Sequence, residues 1–320
     1  MATALITGGC GFVGRHLTRF LLDKGLDVTI VDNLSNGKHP ISWSTGKLEF
    51  LNEDCRVFFA RDRRKFDYAF HLAAIIGGRT QIDGNPIYVA NNINFDIAFF
   101  EWSLKQKPKI IFYPSSSAVY PIDLQTDEKR IILKEDDLVI KDKKIGFPDM
   151  TYGWAKMTGE LLAHLVKTKS KDLNIKIARP FSGYGAGQDE DYPVTAIAKR
   201  IIAHQNPLEV WGPEYQGRDF IYISDVIEAI WTICNLPSDY RHDTFNIATG
   251  VVLTFNQIAN EMASIEGYCP MITNLVNKPT GVLNRVGDKT RIFETGWRPT
   301  VSVRSGLELV LQWLKDGRTV

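Results

Sequence analysis

Two side chains that could carry out proton transfer lie four residues apart, Tyr152 and Lys156. In a helix this spacing places the phenol and the ammonium on one face. A phenol with an unperturbed pKa of about 10 is a poor base near neutral pH. A neighbouring positive charge favours the phenolate and lowers that pKa. The pair therefore predicts a general base held next to an amine. A surface helix pair is the alternative.

Three serines, Ser115 to Ser117, directly follow the strand-like run Lys109–Tyr113. In open α/β sheets, ligands bind at the carboxyl ends of the strands. A serine there can share a proton with the phenol or bind a substrate hydroxyl. The alternative is a serine that caps a turn or helix, and we expect that of two of the three.

The apolar run at Ala4 breaks into glycines with the spacing Gly8-x-x-Gly11-x-x-Gly14, and a helix pattern begins at Phe12. Glycines in such a turn let a pyrophosphate reach backbone N–H groups at a helix N-terminus. Asp32 ends the next strand-like run, where a carboxylate can bind the ribose hydroxyls of a dinucleotide. We therefore predict an NAD site, because a 2′-phosphate would crowd Asp32. Arg15, beside the turn, is the one residue that favours NADP.

Bound NAD would also affect Tyr152 and Lys156. The positive charge of an oxidised nicotinamide ring would favour the Tyr152 phenolate together with Lys156. The lysine amine can also reach the nicotinamide ribose, which ties the cofactor to the base.

Strand-like and helix-like segments alternate through the first half of the chain, which predicts parallel strands with crossover helices. The fold class is therefore α/β, a doubly wound parallel sheet (Rossmann) with a smaller C-terminal α/β substrate lobe. We expect residues 1–180, with 219–250 returning to them, to form the dinucleotide-binding domain, and 181–218 and 251–320 to form the second lobe. The predicted elements are Ala4–Ile6, Gly11–Lys24, Asp27–Val31, Phe70–Ala73, Ile93–Leu104, Lys109–Tyr113, Tyr152–Lys167, Ile175–Ala178, Leu208–Trp211, Asp219–Ile223, Thr244–Ile247 and Val301–Leu314.

Composition limits the class of partner. The 320 residues carry a net charge of +1 and 44% hydrophobic residues, so we expect neither nucleic acid nor a membrane as partner. The four cysteines form no C-x-x-C pair, which favours a reducing, cytoplasmic location. No leader or membrane-spanning run is evident at the N-terminus. We predict no metal site.

Several sequence blocks together resemble the extended short-chain dehydrogenase/reductases, the NAD-dependent nucleotide-sugar epimerase/dehydratase family. The blocks run along essentially the whole chain: TGGCGFVG at Thr7–Gly14, DNLSNG at Asp32–Gly37, HLAA at His71–Ala74, SSSAVY and YGWAK, GRDFIYISDV at Gly217–Val226, and TGWRP at Thr295–Pro299.

This resemblance implies roles at the matching positions. Counting back from Tyr120 places the family's catalytic hydroxyl on Ser116, which would act with Tyr152 and Lys156. Arg218 would bind the diphosphate of a nucleotide sugar, and Arg285 is a second candidate; an ion pair between the lobes is the alternative for each. The implied cofactor-binding residues are Gly8, Gly11, Phe12, Val13, Gly14, Asp32, Asn33, Asn36, Asp54, Cys55, Leu72, Ala73, Ala74 and Asn92. The implied substrate-binding residues are Gly77, Gly78, Ser117, Ser182, Arg218 and Arg285.

Departures from the family pattern narrow the expected reaction. The family's dehydratases carry an Asp–Glu pair where this chain has Ser117 and Ala118, and its GDP-sugar 3,5-epimerases carry a Cys in place of Ala118. Neither residue here can act as acid or base, which disfavours both reactions. Gly77-Gly78 nevertheless resembles the GDP-sugar enzymes, as does the spacing from Asp288 to Trp297. Ser182 stands where an Asn usually contacts the sugar.

The reaction that remains is hydride chemistry at one carbon, C4 of the hexose. The prediction is a 4-epimerase. The alternative is a net C4 dehydrogenase or 4-keto reductase, for which a GDP-sugar is the favoured substrate. An NAD-binding scaffold without turnover, or an RNA-binding protein, is a third class, against which the intact Ser116, Tyr152 and Lys156 argue. We expect a homodimer through the helices Ile93–Leu104 and Tyr152–Lys167, by analogy with the family.

Overall fold

A computed structural model of the protein describes residues 1–36, 47–126 and 131–317. Gly37, the last residue of the DNLSNG block, lies outside these ranges. The strands are β1 (Thr3–Thr7), β2 (Asp27–Asp32), β3 (Leu48–Asn52), β4 (Tyr68–His71), β5 (Ile110–Pro114), β6 (Ile132–Leu133), β7 (Asn174–Pro180), β8 (Ser182–Tyr184), β9 (Leu208–Trp211), β10 (Gly217–Arg218), β11 (Phe220–Tyr222), β12 (Thr244–Ile247), β13 (Leu253–Thr254), β14 (Ile272–Leu275) and β15 (Asn284–Gly287).

Helices connect these strands. The α-helices are α1 (Phe12–Asp23), α2 (Cys55–Arg61), α3 (Arg79–Gly84), α4 (Pro86–Ala90), α5 (Asn92–Gln106), α6 (Met150–Lys169), α7 (Pro193–Ile202), α8 (Ile223–Cys234), α9 (Phe255–Ile265), α10 (Thr290–Phe293) and α11 (Val303–Asp316). Short 3₁₀ helices cover Ser117–Val119, Ile122–Leu124, Glu135–Asp137 and Ile140–Asp142.

Seven parallel strands form the main sheet, in the order β12-β7-β5-β4-β1-β2-β3. The central strand β1 reads as an unbroken apolar run, and Ala4, Leu5 and Ile6 are fully buried. Such runs are typical of parallel strands covered by helices on both faces. The sheet confirms the predicted doubly wound α/β class.

The two faces of the main sheet have separate cores. On one face, Leu17 and Leu21 of α1 and Ile227 of α8 belong to a cluster that includes Ile30 of β2. On the other face, Phe99 of α5 packs in a second cluster with residues of α2 and α6. The helices therefore fix the carboxyl ends of the strands from both sides, which is where the predicted site residues lie.

Three small sheets lie apart from the main sheet among the described residues, and the segments expected to form the second lobe supply most of their strands, although β11 lies in 219–250. Their strand orders are β13-β10-β15-β6, β11-β8 and β14-β9. Helices α7, α9 and α11 pack against one another beside them. Strand β6 comes from within residues 1–180 yet pairs with β15 in this lobe, so the chain crosses the predicted domain boundary there.

The strongly apolar predicted elements are present with shifted ends. The predicted strand Phe70–Ala73 is β4, Tyr68–His71, and the run Asp219–Ile223 divides into β11 and the first residue of α8. Strand β3 and the helices α2, α7, α8 and α9 are among the elements that were not predicted. Strand β3 lies at the sheet edge and is mostly half-buried, so its sequence lacks the continuous apolar run of the central strands.

No helix among the described residues is both long and apolar enough to span a bilayer.

Candidate active site

The glycine turn between β1 and α1 brings three backbone segments together. Gly8 has φ +72°, and a Cβ there would lie 2.6 Å from the Ala73 nitrogen. A Cβ on Gly14 would lie 2.1 Å from the Gly8 carbonyl oxygen. At Gly11 the nearest atom would be that same oxygen at 3.5 Å, an ordinary contact. Gly8 and Gly14 are therefore required by packing, whereas Gly11 leaves space on the open side of the turn.

The start of α1 presents free backbone donors to this space. Gly11 occupies the N-cap position without a side chain to cap the helix, and the first turn as described contains no acidic residue. The first N–H groups of a helix have no partner within the helix and attract anions. This end of α1 therefore fits a pyrophosphate.

Asp32 ends β2 beside the glycine turn. Its carboxylate accepts hydrogen bonds from the backbone N–H groups of Cys10 (2.9 Å) and Leu34 (2.8 Å). These bonds fix the side chain at the wall of the cavity, and its remaining lone pairs could accept from ribose hydroxyls.

A cavity of about 560 Å³ extends from the glycine turn across the carboxyl ends of the strands. Its lining includes most of the residues that were predicted to bind the cofactor, namely Gly8, Gly11, Phe12, Val13, Gly14, Asp32, Asn33, Asn36, Asp54, Cys55, Leu72, Ala73 and Ala74. The structure thus brings together residues that span about sixty-five positions of sequence.

Asn92 is placed differently from the prediction. It is buried at the start of α5, where its side chain accepts from the Ile75 N–H (2.7 Å) and donates to the Ile75 carbonyl (2.9 Å). Ile75 and Asn91 line the cavity instead. Asn92 therefore supports the cavity wall from behind, because one step along the helix turns the side chain away.

Ser116, Tyr152 and Lys156 line the same cavity as the glycine turn. Lys156 is 2% exposed, and its Nζ lies 5.9 Å from the centre of the Tyr152 ring. A Cβ on Gly153 would lie 2.4 Å from the Ala118 carbonyl oxygen. This glycine therefore lets α6 pack directly on residues 115–119, which we call the serine loop. The Ser116 hydroxyl accepts from the Ala118 N–H at 3.1 Å.

The pKa shifts of Tyr152 and Lys156 differ from the lowered phenol pKa that their spacing predicts. Burial raises the pKa of Tyr152, and the neighbouring Tyr192 and Asp96 raise it further. Burial also lowers the pKa of Lys156, and Asp96 opposes that change. The neighbouring amine therefore does not offset the effect of burial on the pKa of Tyr152, and a further positive charge beside the ring would favour the phenolate.

A second cavity of about 960 Å³ is lined by the segment 77–81 after β4, by the start of α6 and by residues from Phe181 onward. It shares four lining residues with the first cavity: Phe181, Gly183, Gln188 and Tyr192. Its lining also includes five of the residues that were predicted to bind substrate, namely Gly77, Gly78, Ser182, Arg218 and Arg285.

Ser117, the sixth predicted substrate residue, lies elsewhere. It is buried in the 3₁₀ helix Ser117–Val119 and is not part of the lining of either cavity described above. The tight turn that exposes Ser116 directs the next residue inward.

Two further residues of the second cavity were missed. Asp149, three residues before Tyr152, binds Arg285 at 2.7 Å and Arg79 at 3.2 Å. Its backbone N–H donates to the Ala118 carbonyl at 2.8 Å. Arg79 directly follows the predicted pair Gly77-Gly78, and this position in the sequence could have indicated that it lies in the site.

The arginines make this cavity suited to a dianion. Arg218 donates to the Gly217 carbonyl at 2.8 Å, and its pKa is lowered to about 9 by burial and the nearby Arg285. Arg79, Arg200, Arg218 and Arg285 line this cavity together with Asp149, Glu190 and Asp191, so four positive charges meet three negative ones, and guanidinium groups of this kind bind a diphosphate well.

The profile described as "NAD dependent epimerase/dehydratase family" matches residues 4–248. The chain belongs to this family. Membership confirms the predicted resemblance and NAD as the cofactor.

Relatives within the NAD dependent epimerase/dehydratase family differ in reaction. GDP-mannose 3,5-epimerase 1 of Oryza sativa subsp. indica is 28% identical over 97% of this chain and 81% of its own length. The solved UDP-glucose 4-epimerase of Thermotoga maritima, with UDP-glucose, is 25% identical with TM-score 0.82, covering 98% of this chain and 99% of that one. The UDP-glucuronic acid 4-epimerase of Bacillus cereus, solved with UDP-glucuronic acid and NAD, is 26% identical with TM-score 0.81, covering 99% and 100%.

Alanine at two glycines of the turn should separate packing from cofactor binding. We expect Gly11→Ala to keep the thermal stability and weaken NAD binding about tenfold or more, since its methyl group fills the open side of the turn. Gly14→Ala should in addition destabilise the fold by about 1–3 kcal/mol, because its Cβ meets backbone. Calorimetric titration with NAD and thermal unfolding measure both. Equal stability losses in the two variants would contradict this assignment.

Proposed function

We propose that the protein is an NAD-dependent nucleotide-sugar epimerase that transiently oxidises C4 of the sugar. The observation that carries the proposal is the position of Ser116, Tyr152 and Lys156. They line the cavity of the glycine turn, which opens into the cavity that contains Arg218 and Arg285. A sugar whose diphosphate binds the arginines would reach toward the phenol.

Each group of the chain has a task in this reaction. Bound NAD would supply a hydride acceptor for the sugar carbon and positive charge beside Tyr152. The Tyr152 oxygen takes the proton of the sugar hydroxyl, and Ser116 binds the same hydroxyl. Lys156 keeps a positive charge near the phenol and the ribose. The centre would be inverted if the keto sugar rotated in the cavity and recovered the hydride on its other face and the proton from Tyr152.

The residues beside Ser116 support oxidation and reduction without elimination. Ser117 and Ala118 are buried in a 3₁₀ helix and have no group that titrates near neutral pH. Removing water, or inverting a centre through an enolate, requires an acid and a base at the sugar. The serine loop supplies neither.

A panel of nucleotide sugars tests the proposal. Ligands released from the purified protein are identified by mass spectrometry, and the protein is then incubated with GDP-, UDP-, dTDP- and CDP-hexoses. An epimerase forms the C4 epimer with little free NADH at 340 nm. Accumulation of NADH, or a requirement for an added oxidant, would instead establish a net C4 dehydrogenase or, in reverse, a reductase. No conversion of any member of the panel would contradict the proposal.

We further propose that two copies associate through α5 and α6. Trp154, Leu161 and Leu165 are exposed at spacings of seven and four residues, which places them on one face of α6. Ile97 of α5 is also exposed. A continuous apolar face of this kind is typical of an interface between subunits.

A charge in this face should dissociate the dimer. We expect Leu165→Glu to shift the protein to a monomer in light scattering coupled to size exclusion, because the interface would bury an unpaired carboxylate. Leu309→Glu, on the similarly exposed Leu309 of α11, is the control and should remain a dimer. A monomeric wild-type protein would contradict the proposed assembly.

A cytoplasmic location is part of the same proposal. All four cysteines are free thiols, with Cys10, Cys55 and Cys234 buried and Cys269 exposed. Unpaired cysteines are typical of reducing compartments.

A further inference from the structure

Tyr192 lies where the two cavities meet. It borders both of them, as do Phe181, Gly183 and Gln188. The Gln188 amide already donates to the Gly183 carbonyl at 2.9 Å. The Tyr192 hydroxyl makes no hydrogen bond to any residue in the described parts of the chain, so it is the uncommitted polar group of the junction.

The backbone of Tyr192 is fixed at the start of α7. The Tyr192 N–H donates to the Asp189 carbonyl at 3.2 Å, and its own carbonyl accepts from the Ala196 N–H at 2.9 Å in the first turn of α7. From this position the residue contributes to the lining of both cavities.

Tyr152 and Tyr192 form a pair of phenols in unequal surroundings. Near Tyr152 lie Lys156 and Asp96, and Tyr192 is close enough that its ionisation would raise the Tyr152 pKa. Tyr192 faces Asp189 and Asp191, and its own pKa is raised to about 12 by burial and these two carboxylates. Since neighbouring phenols do not both ionise readily, the one without a cation beside it keeps its proton.

We propose that Tyr192 is a second phenol of the active site, which binds the sugar at the junction as a hydrogen-bond donor and stays protonated while Tyr152 acts as the base. The proposal rests on the function proposed above. Tyr192 would give the site a second phenol, from a segment outside the serine loop. In that loop Ser117 and Ala118 are buried and have no group that titrates near neutral pH.

Replacing the hydroxyl alone tests this role. Tyr192→Phe is compared with wild type for calorimetric binding of GDP-mannose against GDP and of UDP-glucose against UDP. We expect the nucleotide sugar that binds wild type to lose about fivefold in affinity, with the bare nucleotide unchanged, because the arginines and not Tyr192 bind the diphosphate. NAD binding should also be unchanged, which shows that the cavities are intact. Tyr215→Phe, at an exposed tyrosine outside both cavities, is the control.

The pH profile tests whether the Tyr192 hydroxyl stays protonated. A protonated Tyr192 carries no charge, so Tyr192→Phe should leave the rising limb of kcat/KM, which Tyr152 sets, at the same pH as in wild type. A rising limb that moves to lower pH in Tyr192→Phe, or equal losses for sugar and bare nucleotide, would overturn the proposal, as would a wild type that binds neither nucleotide sugar. Binding of a nucleotide sugar without turnover in wild type would contradict the proposed reaction alone, and the binding comparison would still decide the role of Tyr192.

Discussion

Replacing Tyr152 by phenylalanine is expected to lower turnover of the nucleotide sugar by about 10²–10⁴-fold, the usual loss when a general base is removed. The phenol lines the same cavity as Ser116 and the glycine turn. The substitution removes only the oxygen, so the ring still fills its place beside Gly153 and the packing of α6 is kept. The measurement is formation of the epimer at saturating substrate.

Binding and pH controls make the result specific. Tyr152→Phe should bind NAD as wild type does and unfold at a similar temperature, and the control Tyr215→Phe should be fully active. In wild type, activity should rise with pH, because burial raises the pKa of Tyr152 and the base must lose its proton. A Tyr152→Phe protein with full biological activity would instead favour a scaffold without turnover.

The largest loss of stability is expected from Glu160→Ala. Glu160 of α6 and Arg179 of β7 are both buried and joined by two hydrogen bonds of 2.8 and 2.7 Å. Removing one partner of a buried ion pair leaves an uncompensated charge and costs about 3–5 kcal/mol. Glu160 also accepts from the Ser115 hydroxyl at 2.5 Å, so activity should fall as the serine loop loosens. Denaturant unfolding measures the first effect.

Two further variants separate the effect of the buried charge on stability from the effect of packing. Glu308→Ala removes an exposed carboxylate that pairs with Arg304 at 3.3 Å and should cost less than about 1 kcal/mol. Combining Glu160→Ala with Arg179→Met should recover part of the loss, because no unpaired charge remains buried. A double variant less stable than Glu160→Ala would show that packing, and not charge, dominates at this site.

The parts of the site that were predictable depend on local geometry. Gly8 and Gly14 are required by one tight turn, and the spacing of Tyr152 and Lys156 is set by one helix. Short motifs therefore contain the needed information. The contact of Asp149 with Arg285 joins residues 136 apart, and nothing in the neighbouring sequence of either residue indicates it.

The sequence also does not determine which side chain of a motif points into the cavity. Asn92 and Ser117 lie in the correct segments, yet each side chain points away from the cavity that its neighbour borders. One residue turns a helix by about 100°, so a motif that is placed correctly still leaves the facing residue undetermined. The main sheet was predictable because its buried strands are continuous apolar runs, whereas the edge strand β3 is not.

The contacts of Asp149 also restrict how the molecule can open. Its carboxylate holds Arg285 of the smaller lobe, and its backbone is bonded to the serine loop just before α6 begins. A hinge motion that separates the lobes must therefore either break this ion pair or carry the first turn of α6 with it. Any rotation that preserves the pair has its axis close to Asp149, a few residues from the phenol.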